Sequence, residues 1–303
     1  MIRKILDYEV HPFIFGLYRI ALGGFILLYM LLLSNRWIEF YGPFGISPIK
    51  LLNEFTFFRF SILSYVHTSF GLWVYYALIV IMLVALILGR WGKLPAVFVW
   101  LAMISIQNSN SGNVDAEEFV LVLFAFYAMI MPINSTLVFD FKKRRFTNSQ
   151  ASVPAWTLIP FFVHMELIYI ISLPLKPYFD HAWVDGTLVY LAASTFDMAR
   201  FTAPEILRTH HAIVSKIMTW ASLVVEGLFP ILVWTRRFRV LMILNMVGFQ
   251  VGIAVLLSGV QMFSLSMLIA LILFLPSKAT HDFFINPKRE FHSWLRMICG
   301  ATR

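Results

Sequence analysis

The chain has almost no cysteine. Among its 303 residues there is one, Cys299. A disulfide within one chain needs two cysteines, so intrachain disulfides are excluded, and so are a CxxC redox pair and a thiolate metal cluster. The cysteine count therefore leaves the redox compartment undetermined.

Charged residues are also scarce. They make up 13% of the chain, whereas hydrophobic residues make up 60%, and soluble domains carry about 25% charged residues. The mean hydropathy is +0.79. A surface that faces water cannot be built from this composition, so the sequence predicts an all-α, polytopic integral membrane helical bundle rather than a soluble enzyme.

Motifs of soluble enzymes are missing as well. The sequence contains no GxGxxG, Walker loop, GxSxG or HExxH. The adjacent pair His210 and His211 has poor spacing for zinc on a helix, so we expect no metal site.

Long apolar runs dominate the sequence and predict about eight transmembrane helices. The third and fourth runs are short and joined by a polar turn at 107–113, so they are complete spans or partly re-entrant segments, and the count carries a margin of about one. The predicted spans are 12–33, 69–89, 95–109, 117–133, 155–175, 212–234, 238–257 and 260–276.

The net charge of +8 comes from basic residues in short loops between these runs. With the N-terminus inside, 16 Lys and Arg fall on the cytoplasmic side and 6 on the other. This bias predicts a multi-pass cell-membrane protein with both termini in the cytoplasm. The basic loops are expected to contact membrane lipids, and no nucleic acid partner is expected.

The chain divides into a transmembrane domain, 1–276, and a basic, aromatic tail, 277–303, which forms an interfacial helix or is loosely ordered. Two long outer segments, 34–68 and 176–211, are rich in aromatics and prolines and are expected to pack on the spans or on lipid headgroups, partly re-entrant. We expect the first apolar run to be a permanent span rather than a cleaved signal, because Arg19 interrupts it.

Ionisable residues within spans are expensive and need partners. Arg19 and Glu226 are predicted at similar depths, roughly 10 and 12 Å from the cytoplasmic side at 1.5 Å per residue. They are therefore predicted to form a structural ion pair, with Glu166 as the competing partner of Arg19. Gln250, predicted near mid-membrane, either bonds a neighbouring helix or serves a site.

Lys176 stands out because Pro174 and Pro177 flank it, which predicts a helix break there. Broken helices at membrane depth line cavities. Within apolar walls this lysine could act as a base, whereas a touching carboxylate would make it a cation anchor. A lysine that simply reaches the interface from the end of its helix is the structural alternative.

Several short stretches keep a shared order and spacing from Gly16 to Pro276. On them the chain resembles the HTTM family, the transmembrane domain shared with vitamin K-dependent γ-carboxylases. The stretches are 17–23, 40–46, 107–113 with Asp115, 132–140, Tyr169 to Lys176, 183–187, Glu226 with Pro230, and 274–276.

This resemblance implies a membrane enzyme acting in a cavity open to the outer face. Lys176 matches the position of the family's proposed base, which deprotonates vitamin K hydroquinone, so a quinone-like cofactor is implied. Asp115 and Asp185 are the further candidate catalytic residues, and Trp183, Tyr169 and Gln250 are the candidate cofactor-binding residues.

Three departures argue against full carboxylase activity. Gln250 replaces a family histidine, Val114-Asp115 replace another, and the region that binds a substrate's propeptide has no counterpart. The main hypothesis is therefore a membrane enzyme or maturation factor for a secreted peptide. The alternatives are a non-catalytic scaffold that matures secreted peptide toxins with a companion protein and, less favoured because inverted repeats are missing, a transporter.

Overall fold

The computed structural model is mostly helical. It describes residues 9–42, 45, 60–109, 116–147, 152–195, 199, 210–235 and 237–285. These residues fall into two compact units, an N-terminal unit, Glu9–Pro154, and a C-terminal unit from Ala155 onwards.

The helices of the N-terminal unit are α1 (Phe13–Leu33), α2 (Trp37–Tyr41), α3 (Ser69–Leu88), α4 (Leu94–Ser109) and α5 (Ala116–Ile130). Those of the C-terminal unit are α6 (Leu158–Phe179), α7 (Ala182–Asp185), α8 (Leu188–Ser194), α9 (His211–Leu232), α10 (Arg239–Leu256), α11 (Gln261–Leu271) and α12 (Ser277–Ile285). Single 3₁₀ turns lie at Ser34–Arg36, Ile62–Tyr65 and Ile272–Phe274.

Each of the eight predicted apolar runs contains a helix, but not all of these helices are long. Within the described residues, five helices are long and apolar enough to cross a membrane: α1 (continuing to Tyr41), α3, α6, α9 and α10. Counting the bent pair formed by α11 and α12, whose axes differ by 98°, gives six. Because α4 and α5 have only 16 and 15 residues, eight complete spans stay a prediction. The tail beyond Ile285 lies outside the described residues.

The fold was predicted to be all-α, but the structure also contains a small amount of β-strand. Four short strands form two antiparallel pairs: β1 (Glu9–Val10) with β4 (Val153–Pro154), and β2 (Val138–Asp140) with β3 (Arg145–Thr147). The second pair is a tight hairpin whose turn is set by the Asp140 carboxylate, which accepts hydrogen bonds from the backbone of Lys142 and Lys143. Composition predicted the apolar helices but could not reveal strands this short.

The long helices present bulky apolar side chains outwards. In a water-soluble protein such extensive apolar exposure would be unfavourable, whereas hydrocarbon solvates these side chains well. Examples, with exposed fractions of 53, 52, 63 and 52%, are Leu31 on α1, Ile170 on α6, Ile217 on α9 and Val255 on α10. The helices therefore fit a membrane protein, as the composition predicted.

In the N-terminal unit α1 packs on α3, α3 on α4, and α4 on α5. Large polar rings link further elements by donating to backbone carbonyls: the Tyr18 hydroxyl of α1 donates to Phe124 of α5 over 2.9 Å, and the Trp37 indole of α2 donates to Leu72 of α3 over 3.0 Å. These bonds satisfy the polar end of each ring while its apolar body fills the core.

In the C-terminal unit α6 packs on α9, α9 on α10, and α10 on α11. An aromatic cluster fills one end of this packing, with ring centroids of Phe162 and Phe274 4.5 Å apart and those of Tyr169 and Phe229 5.3 Å apart. The cluster fixes α6 against α9 and so sets the position of the residues that follow on α6.

Candidate functional site

Lys176 lies between two prolines, yet its helix does not break. α6 continues through Pro174 and Pro177 to Phe179. Each proline leaves the carbonyl four residues earlier without its usual donor, but its fixed φ is compatible with a helix, and membrane helices tolerate the loss. The predicted break at Lys176 is therefore wrong, and the lysine projects from a continuous helix.

Lys176 forms an ion pair with Glu226 on α9. Both side chains are largely removed from solvent, with exposed fractions of 22% for the lysine and 4% for the glutamate. A buried carboxylate needs such a partner, because desolvation of a lone charge is very costly. Of the two chemical roles that the sequence left open for Lys176, this contact has the geometry of a cation anchor.

The pair lies beside the interior of α9, not at its beginning. Glu226 follows His211, the first residue of α9, by fifteen residues, which is roughly 22 Å along the axis. Next to the pair, Leu173 of α6 packs on Gly227, where an added Cβ would lie 3.1 Å from the leucine Cδ2. The end of α6 therefore reaches the level of the C-terminal third of α9.

The indole of Trp183 covers the lysine from another side. The Lys176 Nζ lies 4.7 Å from the centroid of this ring, within the range of a cation–π contact. The ammonium is thus held between a carboxylate and an aromatic face.

Hydroxyl groups on α9 hold the short helices α7 and α8 in place. The Ser215 hydroxyl donates to the Gly186 carbonyl over 2.8 Å and accepts from the Tyr190 backbone over 3.1 Å, while Thr219 accepts from the Val189 backbone over 3.3 Å. Gly186 has φ of +75° and packs closely on Lys216, where a Cβ would come within 2.8 Å of the lysine Cα. The segment therefore folds back on α9, one of the two arrangements expected for the outer segment 176–211, and places Trp183 over Lys176.

These elements enclose a cavity of about 740 Å³ within the C-terminal unit. Most of its lining is aliphatic or aromatic and comes from α6 to α11. Its chemically distinctive lining residues are Tyr169, Lys176, Trp183, Glu226 and Gln250. A volume of this size, apolar with a few polar groups, is typical of a site for a small molecule.

Gln250 is buried at 2% exposure, whereas Asn245 on the same helix is exposed. Its side chain lines the cavity together with Tyr169 of α6. Its Oε1 atom has no hydrogen-bond partner among the described residues. Since buried acceptors are normally satisfied, this oxygen can accept a hydrogen bond from a molecule in the cavity.

The structure brings together four of the six residues predicted for catalysis and cofactor binding. Lys176, Trp183, Tyr169 and Gln250 line one cavity. Asp185 is exposed at the end of α7 and is not part of the lining, and Asp115 lies outside the described residues. Among the described residues there is no cluster of three or more potential metal ligands.

The predicted ion pair between Arg19 and Glu226 is wrong in its partners. Glu226 pairs with Lys176, and Arg19 donates to backbone carbonyls, including those of Ile133 over 2.9 Å and Ile87 over 3.4 Å. Ile87 lies in the last turn of α3, where unpaired carbonyls carry partial negative charge. These carbonyls compensate the buried guanidinium without a carboxylate.

Glu166, predicted as the competing partner of Arg19, is half-buried on α6 and accepts a hydrogen bond from the Trp234 indole. It belongs to the aromatic end of the C-terminal unit, since Trp234 also packs on Phe162 with centroids 5.2 Å apart.

The sequence identifies Glu226 as a buried charge but predicts the wrong ion-pair partner for it. The available signal was a lone carboxylate in an otherwise apolar span, and its partner was sought by depth. The sequence predicts Lys176 at the outer end of its span, at a different depth from Glu226. Had the helix been extended through the prolines, the two charges would have been candidates for pairing.

Comparison with known proteins finds no matching family model, and neither a curated protein nor a solved structure matches the chain. The geometry of the cavity is therefore the basis for inferring a function.

Proposed function

We propose that the chain is an integral membrane enzyme that binds a lipid-soluble, quinone-like molecule in the cavity of the C-terminal unit. The observation that carries the proposal is a largely buried Lys176–Glu226 pair, covered by Trp183, in a largely apolar cavity of about 740 Å³. Apolar walls favour a molecule that partitions into the bilayer, and the polar cluster fits an oxygen-bearing ring.

Each polar group has a defined part in this proposal. Lys176, anchored by Glu226, donates a hydrogen bond to a ring oxygen of the ligand. The Gln250 Oε1 accepts from a hydroxyl or N–H of the ligand, which satisfies its buried acceptor. Trp183 offers an aromatic face beside the ammonium.

The resemblance to the HTTM family is consistent with this proposal and suggests its chemistry. The ligand would be a cofactor for modifying a secreted peptide, and Lys176 would act at the reacting ring. Acting as a base would require Lys176 to give up a proton first, and Glu226 is the acceptor in contact with it. Full carboxylase activity is not part of the proposal, because Gln250 stands where the family has histidine.

The test is a binding titration of the purified full chain in detergent with a short-tailed naphthoquinone, followed by tryptophan fluorescence. Removing Lys176 alone would leave Glu226 buried and unpaired, so the pair is replaced together as K176M/E226Q. We expect the affinity to fall by about tenfold or more, since hydrogen bonds to charged groups contribute roughly 1.5–3 kcal/mol.

The matched control is K216M, which removes an exposed lysine of α9 that does not line the cavity. It is expected to bind like the wild type, and thermal unfolding is measured for every variant. If the wild-type chain fails to bind the naphthoquinone, or if K176M/E226Q binds it equally well, the proposal is refuted and the alternative of a non-catalytic maturation scaffold gains support.

A further inference from the structure

The hairpin of β2 and β3, residues 138–147, concentrates positive charge at its turn. Lys142, Lys143, Arg144 and Arg145 follow one another and are all exposed. The aromatic residue before them, Phe141, is also exposed, at 60%. We call residues 138–147 the basic hairpin.

The backbone of the basic hairpin is firmly built. β2 and β3 pair Phe139 with Phe146, whose rings are 5.2 Å apart. The Asp140 carboxylate accepts from the backbone of Lys142 over 2.9 Å, and Arg144 takes a left-handed φ of +50° that closes the turn. The carboxylate next to the basic run is thus engaged by the turn itself, and its Oδ2 lies 4.0 Å from the Nζ of the exposed Lys143. The run still presents an excess of positive charge to the surroundings.

The basic hairpin lies beside the C-terminal end of α3, a helix long and apolar enough to cross a membrane. The Arg90 guanidinium lies 5.8 Å from the Phe141 ring centroid. The Lys93 ammonium, on the turn that links α3 to α4, donates to the Ile130 carbonyl at the end of α5 over 3.1 Å. Three helix ends and the hairpin therefore meet at one level of the N-terminal unit.

The adjacent turn has the composition of a membrane interface. Trp91 and Leu94 are each 58% exposed, among Arg90 and Lys93. Tryptophan and basic residues at the end of a span are typical of headgroup depth. Since α3 ends at Leu88, this level of the unit corresponds to the polar boundary of a bilayer.

We propose that the basic hairpin, together with the α3–α4 turn, binds anionic phospholipid headgroups. The four basic side chains complement phosphate charge, and Phe141 and Trp91 supply apolar surface that can enter the acyl boundary. An acidic protein segment would match the charge but would offer no hydrocarbon for the exposed rings, and so the lipid is the favoured occupant. The site lies in the N-terminal unit and does not depend on the proposed cavity function.

The test compares variants of the full chain reconstituted in nanodiscs of phosphatidylcholine with a minor fraction of phosphatidylglycerol. Native mass spectrometry then counts the phosphatidylglycerol molecules retained by the released protein. The test variant K142Q/K143Q keeps the backbone donors of the turn and removes two exposed charges. Each basic residue near an anionic surface strengthens binding to it by about fivefold. We therefore expect the variant's preference for phosphatidylglycerol to fall by about tenfold or more.

The control R36Q/K216Q removes the same charge from two exposed residues outside the basic hairpin. It should retain the wild-type preference, and added salt should weaken the wild-type preference because headgroup binding is electrostatic. Three results would each overturn the proposal. In the first, K142Q/K143Q retains as much phosphatidylglycerol as the wild type, and in the second, both double variants lose it equally. In the third, an acidic protein copurifies at this site in place of lipid.

Discussion

At the scale of single residues, Gly89 allows Arg19 to reach its carbonyl partners. It ends α3 with φ of +69°, and a Cβ built at this position would lie 2.8 Å from the Arg19 Cζ. Arg19 itself has 0% exposure. A side chain at position 89 must therefore displace a buried guanidinium from its hydrogen bonds.

We expect G89A to be markedly less stable than G92A. Gly92 has a similar φ of +61°, but a Cβ there meets nothing within 4 Å. The two variants share the cost of a left-handed alanine, roughly 1–2 kcal/mol, while only G89A also crowds Arg19, which costs about 1–3 kcal/mol more. Thermal unfolding in detergent measures the difference, and equal melting temperatures would show that the Arg19 contact contributes little.

The partners of buried charges were the least predictable part of the candidate site. Depth along a helix follows from the sequence at 1.5 Å per residue, but the direction a side chain faces and the identity of its neighbour depend on packing. Arg19 illustrates the limit, because backbone carbonyls of the segment after α5 and of the last turn of α3 replace the carboxylate that charge matching suggested. Lys176 stands out in the sequence because two prolines flank it, and Trp183 is a candidate through the resemblance to the HTTM family, but neither signal predicts that the two side chains are in contact.

At the scale of elements, α10 carries a glycine-lined face that gives the cavity its width. Gly248 and Gly252 are one turn apart, both line the cavity, and an added Cβ at either meets nothing within 4 Å. The room that they leave is available to the apolar part of a ligand.

We expect G252L to weaken binding of the short-tailed naphthoquinone by about tenfold, which corresponds to excluding roughly two methylene groups at about 0.8 kcal/mol each. Helix stability should not suffer, since leucine favours helices over glycine. The control is G24L on α1, an exposed helical glycine that also has open space and does not line the cavity. Unchanged affinity in G252L would place the bound ligand away from this face.

Helices were the most predictable elements. Apolar runs at 69–89 and 238–257 correspond closely to Ser69–Leu88 and Arg239–Leu256, because a run that must satisfy its own backbone in hydrocarbon has little choice but a helix. The predicted break at the prolines of α6 was wrong, because it assumed the free-energy cost that a proline has in a helix surrounded by water, whereas α6 has apolar surroundings. The strands have only two or three residues each, too few to show the alternation of apolar and polar residues that predicts a strand.

At the scale of the whole molecule, the single cysteine allows a direct test of orientation. The excess of basic residues on one side predicts that both termini lie in the cytoplasm. In intact cells Cys299 should therefore resist a membrane-impermeant maleimide, whereas H181C in a C299S background should react, since His181 is exposed in the predicted outer segment. Permeabilised cells serve as the control, in which both positions should react, and labelling of Cys299 from outside would contradict the predicted orientation.

The Lys176–Glu226 pair also has an electrical consequence. A lysine and a glutamate in contact form a dipole whose charges sum to zero, so the pair gives the membrane field no net charge to act on, and an uncharged molecule that enters the cavity brings none. The membrane potential performs work of about 2.3 kcal/mol per elementary charge per 100 mV, and on a neutral guest that work vanishes. Occupancy by such a guest would therefore be the same in energised and de-energised membranes.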